Sequence, residues 1–134
     1  MYELKNVDLL PKDIQPKTAA YLNELLKLHG ENIAGIYVYG SAAAGNFMPG
    51  VSDVNLLVVL RRMDFAFLQA NLRTVAAGLR QKIPAPLVLT QGYLESSVDV
   101  FPVEFLDIQD NHLVLYGEDI FAALNIPKKG GILA

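Results

Sequence analysis

Apolar residues follow two patterns in the first half of the chain, one helical and one extended. The segment at 15–30, QPKTAAYLNELLKLHG, repeats apolar side chains at helical spacing, with Pro16 near its start and Gly30 at its end. This arrangement predicts a helix with one apolar face. The segments IAGIYVYG (33–40) and VNLLVVL (54–60) are short, continuous apolar runs. Such runs predict strands that are covered on both faces.

The second half alternates between the same two patterns. The predicted helices are at 64–83 and, in short form, at 118–126, with a turn or short helix at 92–99, and the predicted strands are at 86–90, 100–108 and 112–117. The element order predicts an α/β or α+β fold, with a mixed sheet of about four to five strands and flanking helices.

Size and composition limit the class of protein. The chain has 134 residues, of which 52% are hydrophobic, and we expect one domain over 1–127 followed by a tail or linker at 128–134. No apolar run reaches the roughly 18 residues of a membrane span, and the first residues do not resemble a signal peptide. The sequence has no cysteine, which excludes disulfides and is compatible with a reducing cytosol, so we expect a cytoplasmic protein.

The charge distribution argues against a polynucleotide ligand. The formal net charge is -3, whereas proteins that hold nucleic acid by its phosphates present a basic face. The basic pairs Arg61-Arg62 and Lys128-Lys129 are small. We interpret them as solvated loop charges.

The stretch YVYGSAAAGNFMPGVSDVNLLVVL carries the candidate chemistry. Gly40 and Ser41 follow a predicted strand, and backbone N–H groups with a hydroxyl at such a bend can hold phosphate oxygens; the alternative is a plain tight turn. Asp53 and Asn55 lie two apart and would share one strand face, as oxygen ligands of the kind magnesium prefers. The alternative is that Asp53 caps a turn and Asn55 is an edge polar residue.

Gly-Ser, a spacer of about ten residues and Ser-Asp-x-Asn on a strand resemble the motif of the nucleotidyltransferase superfamily of the DNA polymerase beta type, which has Ser-Asp-x-Asp. The small prokaryotic stand-alone domains and the aminoglycoside nucleotidyltransferases are the most similar groups. The resemblance covers Tyr37 to Leu60 and continues loosely through VDVFPVEFLDI and LVLYGEDIF. It implies a nucleotidyltransferase-like fold that moves a nucleoside monophosphate from an NTP to a hydroxyl acceptor with Mg²⁺.

The resemblance also implies residue roles. Gly40, Ser41 and Ser52 would bind the nucleotide, Asp53 and Glu104 would be catalytic, and Asp53, Asn55 and Glu104 would hold metal. Glu104 is our choice for the third acid that the family carries on a neighbouring strand. On the predicted strand it shares a face with apolar residues, where a charged side chain needs a partner. The alternative is an edge position in water.

Three other residues stay open as site members. Asp99 and Asp107 are the other candidates for the third acid. His112 lies in a predicted turn, where it is either a catalytic group or a packed side chain.

Asn55 departs from the family pattern and divides the functional prediction. An amide in place of a carboxylate removes a negative charge that helps to hold two metal ions together. The domain is therefore an attenuated nucleotidyltransferase, a catalytically inactive nucleotide-binding or protein-interaction module such as an antitoxin-like partner of a helical domain, or a scaffold without nucleotide. The implied partners are an NTP, an unknown small-molecule or protein acceptor, and a helical partner domain or a homo-oligomer.

Overall fold

The computed structural model describes residues 2–63, 83 and 86–126. Within these ranges the helices are α1 (Gln15–His29), α2 (Ser41–Ala44), α3 (Gln91–Ser97), α4 (Pro102–Asp110) and α5 (Ile120–Ala123), and the strands are β1 (Ile33–Tyr39), β2 (Asn55–Leu60), β3 (Leu87–Thr90) and β4 (His112–Gly117). The predicted helix at 64–83, apart from its last residue, and the predicted tail at 128–134 lie outside the described residues.

The four described strands form one mixed sheet in the order β3-β2-β1-β4. β1 pairs antiparallel with β2 and β4, and β2 pairs parallel with β3. The predicted α+β class and the predicted strands at 33–40, 54–60, 86–90 and 112–117 are confirmed. In this register Tyr39 pairs with both Asn55 and His112. The carboxyl end of β1 therefore lies beside the starts of β2 and β4, at one end of the sheet.

Both faces of the sheet are covered, as the continuous apolar runs predict. Alternate residues of β2 point to opposite sides: Leu56 and Val58 pack in the cluster that contains α1, whereas Leu57 and Val59 pack in the cluster that contains Phe105 of α4. Full burial of such a side chain contributes about 1.5 to 3 kcal/mol. A register slip of one residue would exchange the two sets, so the buried pattern fixes the pairing.

Helix α1 covers one face of the sheet and forms where the sequence predicts it. Its buried residues include Tyr21, Leu22, Leu25 and Leu26, which repeat at three- and four-residue spacing. None of the described helices combines the length and the apolar character that crossing a membrane requires. The short helices predicted at 92–99 and 118–126 are present as α3 and α5.

The predicted strand at 100–108 is wrong. Residues Pro102–Asp110 form the helix α4, with the proline in its first turn, which is a position that proline favours. Phe105 and Ile108 are buried, whereas Val103 is 60% exposed. The apolar residues are therefore sorted at helical spacing. The alternation of apolar residues from 101 to 105 is compatible with a strand, but β4 occupies the edge of β1 where such a strand would pair.

Candidate active site

A sharp bend carries the chain from β1 into α2 at Gly40 and Ser41. Gly40 has φ 78 and ψ -148, a conformation that only glycine adopts without strain. Its carbonyl oxygen accepts hydrogen bonds from the N–H groups of Ala43 at 3.1 Å and Ala44 at 2.9 Å. Ser41 thus begins a single helical turn, which ends at Gly45 with φ 86. The sequence places glycine where the backbone requires it.

Asn55 lies directly against this bend. A Cβ added to Gly40 would lie 2.8 Å from the Asn55 amide nitrogen, so the absent side chain leaves the space that the amide uses. Tyr39 separates Asn55 from His112 in the same row of the sheet, and paired residues point to the same face. Burial raises the pKa of the Tyr39 phenol. The predicted neighbourhood of Gly40, Ser41 and Asn55 is therefore present in the fold.

A tight turn before β2 presents Ser52 and Asp53. The carbonyl oxygen of Met48 accepts from Val51 N–H at 3.0 Å and Ser52 N–H at 2.8 Å, and the Ser52 hydroxyl accepts from Met48 N–H at 3.0 Å. Ser52 therefore closes the turn that holds Asp53. Strand β2 begins at Asn55, so Asp53 lies just before it and the argument from strand alternation does not fix its direction.

Asp53 and Ser52 line a cavity of about 110 Å³ between this turn and the start of α1. Asp13 and Lys17 lie in the wall that α1 and its preceding turn supply, while Asn55 is not part of the lining. Asp53 is exposed. With the residues that the structure describes, its carboxylate forms neither a hydrogen bond nor an ion pair.

The candidates for the third acid do not lie on strands. Glu104 is exposed in the first turn of α4, so its predicted place on a strand beside Leu106 and Ile108 is wrong. Asp107 lies on the same helix, and Asp99 lies in the turn before it. Each of the four described strands lacks aspartate and glutamate altogether. The sheet therefore does not supply a third acid at β1, β2, β3 or β4.

The metal ligands predicted from the sequence do not form a cluster of histidine and carboxylate side chains among the described residues. Over the part of the chain that the structure describes, no group of three or more histidine, aspartate or glutamate residues could hold an ion. Mg²⁺ commonly binds one or two carboxylates together with substrate phosphates. The carboxylate of Asp53, which has no partner among the described residues, is a ligand of this kind.

His112 is a packed side chain in this structure. Its Nδ1–H donates to the carbonyl oxygens of Ile108 at 2.9 Å and Gln109 at 3.0 Å. Its Nε2 lies 2.8 Å from Oδ1 of Asp119, and the side chain is 9% exposed. Both ring nitrogens therefore lie within hydrogen-bond distance of protein oxygen atoms. The imidazole holds the end of α4 to the start of α5 and has no nitrogen left for a substrate.

Sequence reasoning missed the contribution of α1 to the cavity. In the sequence, Lys17 is one of several charged residues on the predicted surface of this helix. One local signal could have marked it: the first turn of α1 contains no acid, and a cation is unfavourable at that end of a helix.

Comparison with known proteins identifies the family and a similar fold. Residues 19–111 match the family model described as "Nucleotidyltransferase domain". The chain is also similar in structure to the spectinomycin adenyltransferase AAD(9) from Enterococcus faecialis, solved with ATP and spectinomycin, with a TM-score of 0.56 and 14% identity. The match covers 84% of this chain and 59% of that one, so this chain spans less than two thirds of the enzyme that it resembles. Among curated proteins no match is found.

Proposed function

Because the chain belongs to the nucleotidyltransferase domain family, we propose that it binds an NTP with Mg²⁺ and slowly transfers a nucleoside monophosphate to a hydroxyl acceptor. The observation that carries this proposal is the Gly40–Ser41 bend, which lies against Asn55 at the start of β2, two residues after Asp53. The acceptor would be a small molecule or a protein side chain.

Each group at the bend has a distinct task in this proposal. Gly40 lets phosphate oxygens approach the backbone, and the Ser41 hydroxyl donates to them. Ser52 keeps the turn closed and adds a hydroxyl beside the triphosphate. Asp53 contributes its unpaired carboxylate to Mg²⁺ that arrives with the NTP. The ion, when bound, neutralises part of the triphosphate charge.

The proposed reaction is an in-line displacement at the α-phosphorus. The acceptor oxygen forms a bond to phosphorus, the bond to the bridging oxygen breaks, and pyrophosphate leaves with the electron pair. The hydroxyl proton passes to a base or to solvent. Most of the acceleration in such a reaction comes from positioning and charge.

Asn55 is the reason to expect slow transfer. Two dications about 4 Å apart repel by about 17 kcal/mol at an effective dielectric near 20, so bridging negative charge is needed to keep both. The amide of Asn55 provides an oxygen but no charge. One ion delivered by the nucleotide is compatible with this donor set, and a tightly bound pair is not.

Glu104 keeps a proposed role as base or metal ligand, without support from a strand position. A general base must come within hydrogen-bond reach of the acceptor hydroxyl. If Glu104 serves as the base, Glu104→Gln lowers the transfer rate and leaves NTP affinity unchanged. An unchanged rate would assign the proton to solvent or to an acceptor group.

A second candidate is a nucleotide-binding or protein-interaction module without transfer, such as an antitoxin-like partner of a helical domain. The specific observation in its favour is that the four described strands carry no carboxylate. In this candidate, a helical partner domain or a second copy of the chain binds to the domain.

The deciding experiment combines binding with label transfer. Purified protein is incubated with α-labelled ATP or GTP, Mg²⁺ and a cell extract as the source of acceptors, and thermal stabilisation by each NTP is measured in parallel. Label on any acceptor supports the transferase, and stabilisation without label supports the binding module. Absence of both with every NTP removes both proposals and leaves the scaffold.

Asn55→Asp provides the matched variant. Restoring the acid should raise transfer and Mg²⁺ affinity by at least about tenfold, because tenfold corresponds to only about 1.4 kcal/mol. Asp53→Ala, by contrast, should abolish Mg²⁺-dependent NTP binding. If binding persists in Asp53→Ala, Asp53 is not the metal ligand.

A further inference from the structure

The cavity beside Asp53 has two walls of different origin. One wall is the turn that presents Ser52 and Asp53, and the other is the start of α1, with Asp13, Ile14 and Lys17. Its volume of about 110 Å³ is sufficient for a small polar group. The cavity shares Ser52 and Asp53 with the proposed nucleotide site, whereas Gly40, Ser41 and Asn55 are not among its lining residues.

Lys17 occupies an electrostatically unfavourable position in the free protein. It lies in the first turn of α1, where the helix dipole is positive and where the helix itself carries no acidic side chain; the nearest acid along the chain is Asp13, four residues before it. The side chain is half-buried. Lys17 forms no ion pair or hydrogen bond within the described ranges.

The carboxylates in the same cavity do not neutralise Lys17. Asp13 and Asp53 line the cavity with it, yet no ion pair joins Lys17 to either of them. The ammonium of Lys17 and the carboxylates of Asp13 and Asp53 are therefore available to a ligand. A ligand that carries both negative and positive charge could pair with all three groups. A phosphate group that carries Mg²⁺ has both charges that are needed: its oxygens suit the ammonium, and its ion suits the carboxylate.

We propose that Lys17 is a phosphate-binding residue, which contacts the β- and γ-phosphate oxygens of an NTP whose Mg²⁺ is held by Asp53. This inference rests on the proposed function and adds a residue outside the Gly40–Asn55 stretch. Since Asn55 weakens the case for a second metal ion, one Mg²⁺ leaves much of the triphosphate charge uncompensated. The ammonium of Lys17 supplies fixed positive charge on the α1 side of the cavity.

The test compares two lysines of the same helix. Lys17→Met and Lys27→Met remove the same charge from opposite ends of α1, and Lys27 lies in the last turn, where a cation is favourable. Dissociation constants are measured by calorimetry for Mg-ATP, AMP and sodium tripolyphosphate. The thermal midpoint of the free protein is measured for each variant.

Lys17→Met should weaken Mg-ATP and tripolyphosphate binding about tenfold and leave AMP binding within about twofold. Lys17→Arg should retain most of the affinity. The free Lys17→Met protein should melt at the same temperature or higher, because a cation has been removed from the positive end of the helix. Lys27→Met should bind all three ligands like the wild type and should melt slightly lower.

The outcomes separate this inference from the proposed function. If Lys17→Met binds Mg-ATP as the wild type does, the role of Lys17 is refuted and the proposed function stands. If the wild type binds neither Mg-ATP nor tripolyphosphate, both are refuted. If it binds tripolyphosphate through Lys17 but no NTP, the anion site is supported and the proposed function fails. Tighter Mg-ATP binding by Lys17→Met, or a lower melting temperature with unchanged affinity, would show repulsion or a structural role and overturn the inference.

Discussion

Two aspartates of this domain lie in opposite kinds of surroundings. Oδ1 of Asp119 lies 2.8 Å from Nε2 of His112 and accepts a hydrogen bond from the Ala122 N–H at 3.1 Å. Asp53 is exposed, lines a cavity with Lys17, and has no such partner among the residues described. Asp119 follows strand β4 and Asp53 precedes strand β2, and both lie in short connections.

This difference distinguishes a structural polar cluster around Asp119 from a candidate ligand-binding site around Asp53. Around Asp119, donors and acceptors match: the Tyr37 hydroxyl donates to the Glu118 carbonyl at 2.6 Å and accepts from the Ile120 N–H at 3.3 Å. The rings of Tyr37, His112 and Phe121 contact one another edge to face or at a tilt. Around Asp53, charges are left without partners. We expect changes in the first region to alter folding, and changes in the second to alter ligand binding.

The largest expected effect is at Gly117, where β4 ends beside the structural cluster. Gly117 has φ 82, and a Cβ there would overlap the backbone oxygen of Ala34. Gly117→Ala should lower the free energy of unfolding by about 3 to 5 kcal/mol, because backbone must move. Urea denaturation measures this loss. Gly92→Ala is the control: Gly92 lies in helix α3 with no atom within 4 Å of the added Cβ, so that variant should gain stability, and a loss at Gly92 equal to that at Gly117 would contradict the clash.

The next effect is the pH dependence contributed by Tyr37. The pKa of the Tyr37 phenol is raised to about 12, mainly by burial and to a smaller extent by the charges of Asp119 and Glu118. A hydrogen bond from the Ile120 N–H acts in the opposite direction and lowers the pKa. A pKa raised from about 10 in the unfolded chain favours the neutral phenol in the fold. The raised pKa of Tyr37 therefore contributes about 3 kcal/mol to the free energy of unfolding below about pH 10, and this contribution is lost as the pH rises toward about 12.

Urea unfolding at a series of alkaline pH values measures this term. Tyr37→Phe should flatten the fall in stability over the same pH window, although it loses two hydrogen bonds at neutral pH. Tyr93→Phe, at an exposed position, is the control and should follow the wild type. An identical alkaline slope in Tyr37→Phe would mean that another group causes it.

The effect of Gly40→Ala should be smaller in stability and larger in binding. The added methyl group strains the backbone and displaces the Asn55 amide, at a cost of about 2 kcal/mol. Gly45→Ala shares the positive φ but has open space around the added Cβ, and it should cost about 1 kcal/mol. Mg-ATP affinity, measured by calorimetry, should fall in the first variant only. Equal affinities would show that the bend does not contact the nucleotide.

The smallest effects on stability are expected for substitutions of the two aspartates, Asp119 and Asp53, which compare the two regions directly. Asp119→Asn should cost about 1 kcal/mol, because the amide still caps α5 but no longer provides the charge that His112 faces. Asp53→Asn should change stability by less than about 0.5 kcal/mol while Mg²⁺-dependent NTP binding is lost. Chemical denaturation and calorimetry on both variants measure these changes. A destabilised Asp53→Asn protein with unchanged NTP binding would reverse the assignment of the two regions.

Local patterns were sufficient for much of the fold. The helix at Gln15–His29 and the strands at Ile33–Tyr39 and Asn55–Leu60 lie where the apolar periodicity and the glycines place them. These elements are long or continuously apolar, so one pattern prevails over the others. The bend at Gly40 was also readable, since a strand followed by glycine and serine indicates a turn.

The segment at Pro102–Asp110 shows where local pattern fails. Apolar residues at 101, 103 and 105 alternate as in a strand, while those at 105 and 108 repeat as in a helix. Whether this segment forms a strand or a helix depends on whether a strand of the sheet is free to pair with it. The neighbouring position on β1 is already taken by β4. The role assigned to Glu104 depended on the strand reading, so its place on the exposed first turn of α4 was missed.

By itself, the sequence determined the bend, the two central strands and the family, because each depends on residues close together in the chain. Only the tertiary structure decided which charged groups have partners. Asp119 lies beside a histidine from the start of β4, and Asp53 shares a cavity with a lysine from α1. Lys17 and Asp53 are far apart in sequence, whereas His112 and Asp119 are only seven residues apart. Both placements depend on how the connecting segments fold back against the sheet, which no local pattern encodes.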